Sequence, residues 1–225
     1  MSEQLRLTRD GPWLIADLGA PHRVLSWATH RPGLCTARRV AWREVRDADL
    51  TPDLDVPTWL AAALQARGAA DAVTMLTSRS LDAATRHTAH VGTAQATCLA
   101  TVGLSNAERV GARRSDPMTG WGTINLLVRL TPGLTDPALI EAASIATQAR
   151  TTAVIEAGLD LSTGRATGTG TDCIAIASPP GQNAYCGLHT EIGEAVGRAV
   201  HGAVSQGVAD WLAGPGRAAP RLSAI

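Results

Sequence analysis

Apolar and polar positions alternate along Trp13–Leu18 and again along Arg23–Ala28, with the turn residues Gly19-Ala20-Pro21 between them. A period of two sends successive side chains to opposite faces, so the pattern predicts two short strands. Further strands are predicted over Ala72–Thr77, Thr97–Leu104, Gly122–Leu130 and Cys173–Ala177, each alternating or continuously apolar. Three segments carry helical signals instead. The first runs from Pro57 through Arg67 and is closed by Gly68. The second opens at Asp136-Pro137, with the Asp as cap, keeps its apolar period through Ile155 and closes at Gly158. The third runs from Thr190 to Leu212, with Ile192, Val196, Val200, Val204 and Val208 recurring every four residues. Gly193 and Gly197 lie on one face of it and would admit a close backbone neighbour. Ser80–Arg86 reads as a short helical turn. Pro32-Gly33 and Arg43–Asp55 read as surface connections, and Ser105–Trp121 as a polar loop. Because strands follow one another so often, the predicted fold class is α+β. We expect a single domain over residues 1–213, a mixed β-sheet layered with helices and ending in a long C-terminal helix. Residues 214–225 are expected to be a disordered tail.

Composition narrows the classes. The 225-residue chain is 45% hydrophobic and 18% charged, enough apolar material for a sizeable core. Twenty basic residues, all Arg, balance twenty acidic ones. Zero net charge argues against a nucleic-acid or anionic-membrane surface. The absence of Lys and Phe reads as the mark of a GC-rich genome. The longest uncharged run, His87–Ala107, holds two His and four Thr and would be costly in hydrocarbon. No basic segment followed by an apolar stretch opens the chain, so a cytoplasmic location is expected. Cys35, Cys98, Cys173 and Cys186 show no C-x-x-C or zinc spacing and are expected as reduced thiols.

Candidate chemistry concentrates in a few polar segments. In Thr167-Gly168-Thr169-Gly170-Thr171-Asp172, alternate glycines free backbone N–H groups, and a carboxylate closes the loop. Such a carboxylate suits a base, a metal ligand or an amide-holding group; the plainer alternative is a hairpin whose Asp caps backbone amides. With no Lys and a strand following, this is not a phosphate loop. In Gly187-Leu188-His189-Thr190, Thr190 is a plausible cap, with Glu191 and Glu194 in the first turns of the helix. His189 is then a candidate acid/base held near Asp172. Asn106 follows a core strand, and Asn125 is the amide inside an apolar one, where it needs a partner. His87 and His90 lack an acidic third ligand and read as surface residues. No G-x-S-x-G, S-x-x-K or zincin motif occurs.

In this order and spacing the segments resemble the adenosylcobinamide amidohydrolase family. The resemblance rests on Leu76-Thr77-Ser78, Thr101–Gly111, Gly122-Thr123-Ile124-Asn125, the helix at Ala143–Ala149, Ala166–Asp172, and Gly187–Thr190 with Gly193. It spans about residues 5 to 212. The sequence departs at Thr147-Gln148-Ala149-Arg150, where the family often reads Thr-Glu-Ala-Lys. The resemblance implies hydrolysis of one amide of adenosylcobinamide, releasing aminopropanol and leaving adenosylcobyric acid. The corrinoid is then substrate and partner. No further cofactor is called for, a metal requirement stays open, and so does oligomeric state. On the residues themselves, Asp172 and His189 are assigned to water activation and leaving-group protonation, and Thr171 to the oxyanion, with Glu194 as a further member. Asn106, Asn125, Ser78, Thr123 and Gly170 are assigned to substrate binding, and Trp121 to stacking on the ring. Two alternatives stand beside this reading: a corrinoid sensor or carrier without catalysis, and self-cleavage at Gly170-Thr171 that frees Thr171 as an N-terminal nucleophile.

Overall fold

The computed structural model describes residues 5–114 and 122–214, so Trp121 and all of the predicted tail beyond Gly214 lie outside the described residues. The elements run β1 (Arg6–Asp10), β2 (Trp13–Ser26), β3 (Gly33–Glu44), α1 (Val56–Ala66), β4 (Val73–Thr77), β5 (Thr85–Val91), β6 (Ala94–Val102), β7 (Ala107–Glu108), β8 (Ile124–Leu130), α2 (Asp136–Glu156), β9 (Asp160–Leu161), β10 (Gly164–Arg165), β11 (Gly168–Thr169), β12 (Cys173–Ser178) and α3 (Glu191–Ala213). Among the described residues, eight strands form one mixed sheet in the order β4-β3-β2-β12-β8-β6-β5, with β1 beside β2. β12 runs parallel to β8 and β3 parallel to β4, while the other pairs are antiparallel. The expected mixed sheet with helical layers and a long last helix is what forms.

Several boundaries differ from expectation, each for a local reason. The two N-terminal runs are one strand, β2, with a register shift between Asp17 and His22 where the expected turn lies. A bulge there bends the strand without ending it. β3 starts and ends in residues expected as connections, Gly33 and Arg43-Glu44, and runs through a stretch without a strand signal, since its first half buries little beyond Ala37 and carries no apolar run. Thr135, not Asp136, caps α2, its hydroxyl accepting from the Ala138 N–H at 3.4 Å. Thr190 caps α3 as expected. A side chain on Gly193 would meet the carbonyl oxygens of Gly187 and Cys186, whereas Gly197 makes only ordinary contact with Ile145.

The sheet curls on itself. In a flat sheet with about 4.8 Å between strands, β4 and β8 would stand about 19 Å apart. Yet the Asn125 amide on β8 donates to the carbonyl of Leu76 on β4 at 2.6 Å, and Thr101 on β6 meets Thr77 at 3.5 Å. The hairpin tip after β2 also reaches β4, where His30 and Thr74 exchange both backbone hydrogen bonds. Alternation along the strands then splits the core. Leu126, Val128 and Leu130 of β8 face α2 and α3, while Leu127 joins Leu14, Trp42 and Met75 in the interior of the curl. α1 covers the outside of the other half through Leu60 and Leu64 against Trp13.

His22, at the bulge, gives the fold a pH dependence. Its ring is 3% exposed, Nδ1 meets the Ala20 carbonyl at 2.8 Å, and Nε2 is buried without a partner. Burial first, opposed by the Ala20 bond and aided by repulsion from Arg129, lowers its pKa below the ordinary 6.5. As pH falls through about 6.5 the unfolded chain takes up a proton that the folded chain does not. Stability is therefore full above that pH and declines below it. Urea midpoints between pH 7.5 and 5 should show this decline, with a shallower slope in His22→Gln.

Candidate active site

Register places four sequence motifs at one end of the sheet. Because β8 and β12 are parallel and β6 antiparallel to both, the starts of β8 and β12 meet the end of β6. The Asn125–Leu76 bond brings the end of β4 to the same place. Ser78, Thr123 and Thr171 thus line one cavity of about 220 Å³, with Asn106 hydrogen-bonded to Thr171 and Asn125 to Thr123 behind its wall. Thr29, Leu76, Thr77, Ser78, Thr123 and Thr171 are among its walls.

Asp172 anchors the loop. Oδ1 accepts from the Ile124 N–H at 3.0 Å and from the Thr169 hydroxyl. Oδ2 accepts from the Thr169 N–H at 3.0 Å and pairs with Arg150 Nη1 at 2.8 Å. Both side chains are nearly buried, 7% and 13% exposed. Gly168 makes room for this pair: a Cβ there would lie 2.5 Å from Asp172 Oδ2. With protein donors on both oxygens, the carboxylate holds backbone in place and has no open lone pair for a substrate proton.

The anchored loop presents Thr171 to the cavity. The Thr123 hydroxyl donates to the Thr171 carbonyl at 2.8 Å, and the Thr171 hydroxyl to the Gly122 carbonyl at 3.2 Å. Asn106, 2% exposed, donates from Nδ2 to the Thr171 hydroxyl at 3.4 Å, while its Oδ1 is buried without a partner among the described residues. The Gly170 N–H is committed to the Asn106 carbonyl at 3.3 Å. Asn125 Nδ2 donates to the Leu76 carbonyl and so ties the two sides of the curl together, while its Oδ1 shares the single Thr123 hydroxyl proton with the Thr171 carbonyl, at 3.1 and 2.8 Å.

The expected closeness of Asp172 and His189 is not found. Asp172 precedes β12, and His189 follows it, just before α3. Glu191 at the start of α3 accepts from the Thr93 N–H in the β5–β6 turn, at the far end of β8. His189 is exposed there, and Glu194 pairs with Arg198 on the surface at 2.5 Å. A second cavity of about 620 Å³ lies at that end, walled by Thr93, Thr131, Tyr185, Thr190 and Glu191 among others.

A model of the adenosylcobinamide amidohydrolase family matches residues 1–215. The chain belongs to that family. Membership implies adenosylcobinamide amidohydrolase activity in corrinoid salvage. No curated protein matches the chain.

An adenosylcobinamide amidohydrolase needs groups that orient an amide and move protons; the 220 Å³ cavity gathers the hydroxyls of Thr29, Thr77, Ser78, Thr123 and Thr171, and Asn106 stands behind Thr171. The thiols are poor candidates: burial pushes Cys173 up to about 11 and Cys186 up to about 12, and raises Cys98 as well. Among the described residues no three His, Cys, Asp or Glu side chains cluster as metal ligands. None of the described helices is long and apolar enough to cross a membrane. At the departure from the family pattern, Arg150 is the partner of Asp172, and Gln148 is exposed, donating to the Ser144 hydroxyl at 3.3 Å.

Two residues near this end carried no role in the sequence reading. Trp27, 52% exposed, donates its indole N–H to the Asp172 carbonyl at 2.7 Å. Glu108, opposite Gly168 in the β7–β11 ladder, has its Oε2 buried without a partner among the described residues. Its Cγ and the Asn106 amide both border the space a Gly170 side chain would fill, at 3.9 and 3.8 Å. A lone Trp in a turn and a Glu inside a longer motif give no periodic signal, so only the folded arrangement singles them out.

Proposed function

We propose that the chain cleaves the amide joining the corrin's propionyl arm to aminopropanol in adenosylcobinamide, giving adenosylcobyric acid. The observation that carries this reading is the buried Asn106 Oδ1 with no partner among the described residues, beside a hydroxyl-lined cavity. An unsatisfied buried acceptor costs free energy unless a ligand satisfies it, and a secondary amide N–H is a matching donor. Asn106 accepts that N–H and so fixes the scissile bond. Ser78 and Thr123 line the approach, and Gly170 lies beside Asn106.

Water then adds to the carbonyl carbon while its proton passes to Glu108, whose Oε2 has no partner among the described residues and whose Cγ borders Gly170 beside Asn106. The Thr171 hydroxyl turns from the Gly122 carbonyl to the oxyanion. Collapse of the intermediate breaks the C–N bond, and the nitrogen takes the proton as aminopropanol leaves. Asp172 acts as a positioning residue, and His189 and Glu194 stand outside the reacting centre. The test is incubation of purified protein with adenosylcobinamide, read by mass spectrometry of the corrinoid and assay of aminopropanol. Adenosylcobyric acid with equimolar aminopropanol is the expected result, and His189→Ala should turn over within about threefold of wild type. Retention of an unchanged corrinoid would make the chain a binder, and a hundredfold loss in His189→Ala would move the chemistry to the other cavity.

A further inference from the structure

We infer that Trp27 is the platform on which the corrin ring rests while one arm enters the cavity; the inference builds on the proposed amide cleavage. Its starting point is a mismatch of size. Sites that enclose a drug-sized ligand measure about 300–1,000 Å³. A corrinoid is larger than such ligands, whereas the hydroxyl-lined cavity measures about 220 Å³. That volume admits an arm ending in an amide and an aminopropanol but leaves the macrocycle outside. A flat, largely apolar ring held at the mouth needs a flat, apolar surface to lie on.

Trp27 supplies one at the right place. Half of it is exposed, unusual for the largest apolar side chain, yet it is not loose: its N–H donates to the Asp172 carbonyl at 2.7 Å. Asp172 is itself fixed through Ile124, Thr169 and Arg150. The same residue that positions Thr171 inside the cavity therefore positions the indole beside it. Thr29, two residues on, is a wall of the cavity, so the ring stands at its rim. A preorganised aromatic surface binds a planar partner with little entropy lost on ordering. The scattered exposed apolar residues elsewhere, such as Leu7 and Ile140, have neither the pinned N–H nor the neighbouring cavity.

The test compares Trp27→Phe, Trp27→Leu and Tyr185→Ala with wild type. Readouts are KM and kcat for adenosylcobinamide, and the Kd of adenosylcobyric acid by equilibrium dialysis, which needs no turnover. Trp27→Leu keeps apolar bulk but loses the flat face, and should raise KM and Kd by about tenfold with kcat within about threefold. Trp27→Phe keeps a flat aromatic face, smaller and without the pinning bond, and should stay within about threefold of wild type in both. Tyr185, 74% exposed at the rim of the larger cavity, is the control for the other end and should be neutral. Wild-type KM and Kd in a folded Trp27→Leu protein would overturn the inference while leaving the amidase reading intact, as would a loss of affinity in Tyr185→Ala instead. A wild-type protein that neither binds nor cleaves corrinoids would overturn the amidase reading, and this inference with it.

Discussion

Replacing Asp172 by alanine is expected to lower kcat/KM for adenosylcobinamide by about a hundredfold or more and to destabilise the fold by about 3–5 kcal/mol. The stability loss follows from burial. Arg150 and Asp172 are 13% and 7% exposed, so removing the carboxylate leaves a guanidinium in the interior with no counter-charge. The loss of activity follows from geometry. Asp172 ties the loop to β8 through the Ile124 N–H and to itself through Thr169. Without it, Thr171 and Gly170 are no longer held against Thr123 and Asn106, and a displacement near 1 Å is enough for a loss of that size. The double variant Asp172→Ala, Arg150→Met separates the two effects. It removes the stranded charge and should recover part of the stability, while turnover stays low because the loop is still unanchored. Thermal unfolding and steady-state kinetics on the same preparations check both. Wild-type kinetics in Asp172→Ala would show that the loop's position does not matter to the reaction.

Where a segment buries one regular face, its pattern was legible. α3 is the clearest case: Val196, Val200, Val204 and Val208 recur on the face that packs against the sheet, and all four are buried. β8 and β12 read as strands because both of their faces are covered, by the helices on one side and the interior of the curl on the other. β1 and β5 did not read so. β1 is exposed at all five positions and exists through its ladder with β2. β5 buries only Thr85 and Ala89 and gives its other positions to residues such as Arg86, His87 and His90. No local period marks such edges; pairing with a neighbour supplies the strand.

The site was legible in its parts and not in its assembly. The glycine- and threonine-rich loop, Asn106 and Thr123 do gather, because the register of β6, β8 and β12 brings their ends level. His189 does not join them, and strand length is the reason. Asp172 and His189 flank β12, whose six residues span about 20 Å at the usual rise, so two motifs close in sequence end on opposite rims of the sheet. The reading of Asp172 as a base also meets a fact that sequence hides. Whether a carboxylate is open or saturated depends on donors brought from Ile124 and Arg150, far away along the chain.

That distinction between a saturated carboxylate and an open one yields the sharpest test of the mechanism. Glu108→Gln is expected to lower kcat by about 10²–10⁴-fold, the span that loss of a general base commonly brings, with KM within about threefold. Glutamine keeps the shape and polarity of the side chain but cannot take a proton from water. No ion pair is lost, since no described residue donates to the buried Oε2. The melting temperature should therefore stay close to wild type, in contrast to Asp172→Ala, where activity and stability fall together. Glu108→Asp retains the carboxylate but withdraws it by one methylene, and should recover at least about tenfold over glutamine. The β7–β11 ladder is made by backbone atoms, so none of these variants removes it. Intact kcat in Glu108→Gln would assign the proton to another acceptor at this cavity and return Glu108 to the role of a ladder residue beside Gly168.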